Sequence, residues 1–325
     1  MSTRSTANIA LLIACACWGL SFPLERALFL DQLHDVPGAS TWCLSAWSLC
    51  LRFALAAGLL LFWCRRELGR PTRSECRQGL VLGVLTAAGM LLQMDALMHA
   101  TASTVAFLSQ CYAVWIPLVL AVRDRRWPSV RVGVLSGVAL LSGVSPKSGA
   151  IGRGELESLI GSLVFTAQIL VAERRRYVAN RVVLVAVIAF AVAAVSYVPL
   201  VCATAPSGHA LIALYADPAR LGALAVLASV TTCLGLLLMF RWQRHVGAVT
   251  AAVIYSTEPI YAALFAALLP AGLSALFGVT YVAEPLTVTL LLGGGLIIGA
   301  NLLMYWHPRL PSLSQELTQQ PVRAG

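Results

Sequence analysis

Apolar residues run through this chain in long unbroken blocks, without the alternation of a half-buried strand. A helix needs about 20 mostly apolar residues to cross the hydrocarbon core of a bilayer. Blocks of that kind lie at 8–30, 43–63, 78–97, 101–122, 131–147, 156–173, 182–203, 220–240, 247–269 and 286–306. The pattern therefore predicts about ten spanning helices. Barrel strands would alternate apolar and polar residues, so an all-α membrane protein is the expectation. The connections are brief, and the tail from about Pro308 (308–325) is short and polar. The longer connections are 31–42, 204–219 and 270–285; the last is apolar and contains glycine, and its periodicity leaves an interfacial and a re-entrant reading open.

Composition agrees with the pattern. Hydrophobic residues make up 59% of the chain and charged residues 11%, against about 25% charged in a soluble domain. So little charge cannot wet a whole exterior. The net charge of +9 would suggest nucleic acid in a soluble protein, but no basic face with interleaved aromatics is present. Its distribution explains it instead. With a cytoplasmic N-terminus, the inside loops hold Arg65 to Arg77, Arg123 to Arg131, Arg174 to Arg181, and Arg241 with Arg244. The outside loops hold Lys147, Arg153 and Arg220. This is the positive-inside bias, and an even number of spans puts both termini in the cytoplasm of a cell that keeps the protein in its inner or plasma membrane. Arg4 before an apolar run imitates a signal peptide, with Cys15 in a lipoprotein-like box. The run before Cys15 is short for a cleaved segment, so it reads as the first span. The nine cysteines are scattered and read as small hydrophobes.

An internal repeat organises the chain. The stretch from His99 through Thr101, Ser103 and Thr104 to Trp115 aligns with His245 through Tyr261, and Gly89 aligns with Gly235. A similar offset sets Trp18-Gly19-Leu20-Ser21 beside Phe165-Thr166-Ala167-Gln168. Halves of about five spans each, 1–147 and 148–307, would have opposite orientations, as inverted-repeat transporters do.

These residues resemble the drug/metabolite transporter superfamily, in particular its EamA-type members with two inverted five-helix repeats. The resemblance is carried by Trp18-Gly19-Leu20-Ser21-Phe22, Leu51-Arg52-Phe53-Ala54, Thr101 to Leu108, Val114 to Leu118, Gly154-Glu155-Leu156, Glu258-Pro259-Ile260-Tyr261 and Glu284-Pro285-Leu286-Thr287. It runs in order over almost the whole chain. The interval from Glu258 to Glu284 is longer than the family pattern, which makes 270–285 an insertion. The fourth span has Tyr112-Ala113 where the ninth has Glu258-Pro259, so the halves are chemically unequal. The resemblance implies export and proton coupling.

Charged residues inside a membrane cost about 2.5–3.5 kcal/mol each on insertion scales and so mark function or pairing. Glu258 lies near mid-depth of the ninth span. It reads either as a protonatable, substrate-facing carboxylate or as a cap on the half-helix that Pro259 starts. Arg52 lies mid-span at a depth Glu25 can reach. A buried Glu25–Arg52 pair is one reading and anion binding by Arg52 the other. Arg26 is expected to snorkel outward, and Asp95 to reach water at its span end. Gln93, Gln110, Tyr112, Gln168, Tyr255 and Asn301 are candidate cavity residues, with interhelical hydrogen bonding as the alternative. Trp18, Trp115 and Tyr261 are candidates for stacking on a substrate.

The functional expectation is a secondary transporter of small organic metabolites or drugs, with the bilayer, a small molecule and protons as its partners and no cofactor or metal. The competing class is a membrane-embedded enzyme acting on a lipid or small substrate. It would require a nucleophile with a base or a His-Glu-x-x-His cluster, and neither pattern is in the sequence. A channel would bring a filter segment, and none is evident. The arginine asymmetry makes a direct prediction: reporters placed in 31–42 or 204–219 label from outside, whereas 64–77 and 123–130 label only from the cytoplasm. Cytoplasmic labelling of 204–219 would overturn the inverted arrangement.

Overall fold

The structure, a computed structural model, describes residues 3–36, 38–65, 69–124, 151–206 and 208–285. Among them there are helices and turns and no strands. Among the described residues seven helical stretches are long and apolar enough to cross a membrane, the last of them the interrupted run Thr250–Leu268. The first three are α1 (Thr3–Asp35), α2 (Thr41–Cys64) and α3 (Arg73–His99). The fourth predicted span is two shorter helices, α4 (Ala102–Ser109) and α5 (Tyr112–Asp124). Then come α6 (Arg153–Ala172), α7 (Val182–Thr204) and the short α8 (Gly208–Ala213). Next is α9 (Pro218–Val246), whose middle, Leu227–Leu234, is π-helical. The predicted ninth span is also two pieces, α10 (Ala248–Tyr255) and α11 (Glu258–Leu268). The predicted spans at 131–147 and 286–306, and with them Asn301, lie outside the described residues.

Several helix ends are closed by side chains. Thr72 opens α3 with a reciprocal cap, its hydroxyl accepting from the Glu75 amide at 3.2 Å while Glu75 accepts the Thr72 amide at 2.8 Å. Such a box satisfies two donors that the first turn would leave unbonded. The same Glu75 carboxylate takes both edge nitrogens of Arg181, at 2.8 and 2.9 Å, which ties the start of α3 to the start of α7. At the far end of α3, Arg26 of α1 donates to the carbonyls of Leu97 and Ala100. Arg26 therefore does not snorkel to water, as its place near the end of the span suggests. It supplies donors to the open carboxyl end of a neighbouring helix, which also favours a cation there.

The bundle is held by close crossings. α2 packs along α7, α3 along α6 and α7, and α1 along α9 and α11. Small residues allow this. In α3, Gly79 and Gly83 face α7, and a Cβ on Gly83 would lie 2.6 Å from the Val192 Cβ and 2.7 Å from the Ala189 carbonyl oxygen. Close backbone approach at a Gly-x-x-x-Gly face gains dispersion contacts that lipid cannot match. Two crossings answer each other across the bundle: Gly89 receives the ring of Phe165, and Gly235 receives the indole of Trp18.

The apolar segment after α11 resolves into a helix, α12 (Pro270–Phe277). It joins a small core in which Leu273 and Phe277 meet Leu24, Leu28 and Leu227 of α1 and α9. The chain then turns back, and the Glu284 carboxylate accepts the Ala102 and Ser103 amides at 2.8 and 3.0 Å. Glu284 thus closes the amino end of α4 from far away in sequence.

Packing at the glycine crossings predicts an asymmetry between two substitutions. Gly83→Val forces atoms into occupied space and should destabilise by about 1–3 kcal/mol, the usual cost of overpacking. Gly58, on the outer face of α2, has nothing within 4 Å of an added Cβ, so Gly58→Ala should leave the melting temperature in detergent near that of wild type. Equal melting temperatures for both variants would contradict the α3–α7 crossing.

Candidate functional site

The two broken helices meet at the centre of the bundle. α10 stops at Tyr255 because the next hydroxyls turn back on the helix: Ser256 Oγ donates to the Val253 carbonyl at 2.6 Å and Thr257 Oγ1 to the Ile254 carbonyl at 2.7 Å. Pro259, with no amide hydrogen, sits at the start of α11, the position that tolerates it best. α4 ends in a tightened turn in which the Gln110 amide donates to the Phe107 and Leu108 carbonyls. These interruptions bring Gln110 and Glu258 face to face, and Gln110 Nε2 donates to Glu258 Oε2 at 2.9 Å.

Around this contact lies a cavity of about 70 Å³, measured to the centres of water-sized spheres. A single water needs about 10–15 Å³ on that measure, so there is room for several. Trp18, Arg52, Gln93, Gln110, Tyr112, Gln168, Tyr255 and Glu258 line it. These are eight of the residues that sequence reasoning selected. Tyr255 sits edge-on to Trp18 at 5.4 Å and to Tyr112 at 6.3 Å. Gln168 donates to Thr86 at 3.0 Å, and the Tyr255 hydroxyl donates to Gln243 at 3.2 Å. Trp115 lies off the cavity, its indole donating to Ser162 at 3.0 Å. Tyr261 is not brought to the cavity either. It lies at the α1–α11 crossing, where its Cβ would be 2.6 Å from a Cβ on Gly19.

Arg52 and Glu25 meet. Arg52 Nη1 lies 3.0 Å from Glu25 Oε1, with both side chains buried. Ser48 donates to the other Glu25 oxygen at 3.3 Å. The guanidinium also donates from Nε to Thr232 at 2.5 Å and from Nη2 to Thr231 at 2.7 Å. Consecutive residues of a regular helix point about 100° apart, since a turn holds 3.6 residues. The π-helical turn of α9 widens that geometry and lets neighbouring threonines serve one guanidinium, in keeping with the frequency of such turns at functional sites. Glu25 stands behind Arg52 and does not itself line the cavity. With Arg52 balanced, Glu258 is the cavity carboxylate without a cationic partner among the described residues.

The threonine pair was not selected from sequence, although Thr231-Thr232 in an otherwise apolar span is a legible signal. Phe165, Met90 and Met239 also line the cavity, and nothing in their own pattern separates them from ordinary core. Asp95, expected to reach water, is fully buried. It is taken up by Arg153 of α6, and His99 Nε2 lies 3.5 Å from it. Among the described residues no group of three or more His, Cys, Asp or Glu side chains is placed to hold a metal ion.

No family model matches the chain, and no curated protein is similar to it. Among solved structures, one described only as "Crystal structure of protein" superposes over 92% of this chain and 96% of its own, with a TM-score of 0.55 and 16% identity. At that identity the likeness is one of fold alone, a helical bundle; that the bundle is membrane-embedded and multi-pass is suggested by the seven long apolar helices among the described residues.

The buried pair gives the clearest test of this geometry. Removing one partner leaves an uncompensated charge, at about 3–5 kcal/mol. Arg52→Ala and Glu25→Ala should each lower thermal stability in detergent, and the double variant should recover part of the loss. Read as a double-mutant cycle, strictly additive losses would contradict the pair.

Proposed function

We propose that this chain is a secondary transporter that exports small organic metabolites or drugs by alternating access, coupled to protons. The observation that carries the reading is the cavity at two broken helices, lined by Glu258 and the Gln110 that donates to it. Transporters bind substrate and coupling ion near the midplane, where interrupted helices turn backbone and side-chain polar groups inward.

Features of the fold support ten helices in two inverted repeats, 1–147 and 148–307. The breaks after Gln110 and Ser256 are separated by the same interval as His99 and His245. The glycine–aromatic crossings, Gly89 with Phe165 and Gly235 with Trp18, pair each half's third helix with the other half's first. In this reading an approximate two-fold axis in the membrane plane would relate both pairs, and rocking of one repeat against the other would expose the central cavity to one side and then the other. The resemblance to EamA-type transporters points the same way and is the source of export and proton coupling. The arginine distribution favours cytoplasmic termini in an inner or plasma membrane.

Glu258 is the group assigned to coupling, because it is the cavity carboxylate left without a cationic partner. Glu258→Gln keeps the shape and most of the hydrogen bonding with Gln110 while removing the titratable group. Expression and insertion should stay near wild type, and proton-dependent transport should fall to background. The substrates for this assay come from comparing the metabolites of cells with and without the protein. Normal pH-dependent transport by Glu258→Gln would remove the coupling role.

A further inference from the structure

A second carboxylate site lies outside the cavity lining, where the carboxyl end of α3 meets the amino end of α6. Arg153 donates from Nε to Glu157 Oε1 at 2.7 Å and from Nη2 to Asp95 Oδ2. Those two nitrogens form one edge of the guanidinium, the edge that a single carboxylate ordinarily spans with both of its oxygens. Here two carboxylates share it, one oxygen each, so they must stand side by side. Their remaining oxygens, Asp95 Oδ1 and Glu157 Oε2, are buried and have no hydrogen-bond partner among the described residues. The residues themselves are 0% and 7% exposed.

Ionised carboxylates only accept hydrogen bonds, and two sharing a site repel each other when both are charged. One guanidinium balances one of them. We propose that Asp95 and Glu157 form a proton-binding site that holds one shared proton and latches α3 to α6. A proton on either free oxygen, donated to the other, satisfies both atoms and brings the three side chains to zero net charge.

The surroundings offer one competitor. His99 Nε2 lies 3.5 Å from Asp95 Oδ2, so a protonated His99 would also balance the charge. It approaches the oxygen already held by Arg153, however, and leaves the two free oxygens unsatisfied. From α2, the Thr41 hydroxyl accepts from Arg153 at 3.4 Å and the Trp42 ring lies 5.4 Å from its guanidinium carbon; neither is charged. Arg26 of α1 is engaged with the carbonyls at the end of α3, Glu284 with the amides of α4, and Glu155 is turned toward Gly152 at the start of its own helix. Arg153 is 45% exposed, so the site can exchange protons with the water at its end of the bundle. Loss of the proton would set two carboxylates against each other between α3 and α6 and loosen that end. That last step, a gate controlled by protons, rests on the transport reading. The shared proton does not.

Infrared difference spectra of the purified protein across a pH titration test the site directly. A protonated carboxyl gives a C=O band that shifts in heavy water. The band should be present in wild type, in Glu258→Gln and in His99→Gln, and should disappear as the pH is raised. It should be missing from both Asp95→Asn and Glu157→Gln. The amide of Glu157→Gln can donate to Asp95 as the shared proton does, so this variant should keep the wild-type melting temperature at neutral pH and lose the fall seen on going alkaline. Asp95→Asn provides the same comparison from the other side. A band unchanged by both substitutions, or one that vanishes in His99→Gln, would overturn the shared proton. A protein that shows the band and its loss but transports nothing would uphold the site and overturn the transport reading.

Discussion

An ionised side chain in hydrocarbon must be matched within the protein, and in this bundle the match between Arg52 and Glu25 is the constraint on which the centre depends. The pair fixes the depth and rotation of α1 against α2. The remaining donors of the guanidinium then draw on Thr231 and Thr232, which requires α9 to depart from a regular helix at that level. One buried cation thus sets the relation of three helices and forms one wall of the cavity. Breaking either partner would cost more than the pair contributes, because the survivor is left buried with its charge unbalanced.

The same demand for internal satisfaction governs the interruptions. A broken helix exposes amides and carbonyls that lipid cannot bond. Here the exposed groups are met by nearby side chains and by distant ones. Ser256 and Thr257 close the end of α10, Glu284 closes the start of α4, and Arg26 closes the end of α3. With those ends secured, polar groups can face a central space without destabilising the bundle. Gln110 and Glu258 are the result.

Polar satisfaction also separates the two carboxylate sites. Glu258 stands in the cavity with an amide for company. Asp95 and Glu157 share one guanidinium at the end of the bundle, in reach of water through Arg153. On the readings proposed above, the first would answer to whatever occupies the cavity and the second to the pH of one aqueous side.

Membrane insertion, the helical class and the approximate limits of the described spans were legible in the sequence, because each depends only on the length of an apolar block. The polar residues at mid-depth were legible for the same reason: a charge such as Arg52 or Glu258 stands out against hydrocarbon whatever surrounds it. Partners were legible only where depth alone could match them, as for Arg52 and Glu25. Arg26 and Asp95 were read as reaching water because their positions near span ends permit it, and only tertiary packing decided that a helix end and an arginine lay closer. Tyr261 shows the reverse limit, since an aromatic beside Glu258 in sequence turns to a glycine crossing in space. The segment after Leu268 carried no periodicity that could place it, because its helix is ordered by contacts with α1 and α9. Sequence therefore fixed which residues must be buried and paired, through the cost of leaving them otherwise. The choice of partner, and the cavity that those choices enclose, belongs to the tertiary structure, because it depends on distances between helices that no single span encodes.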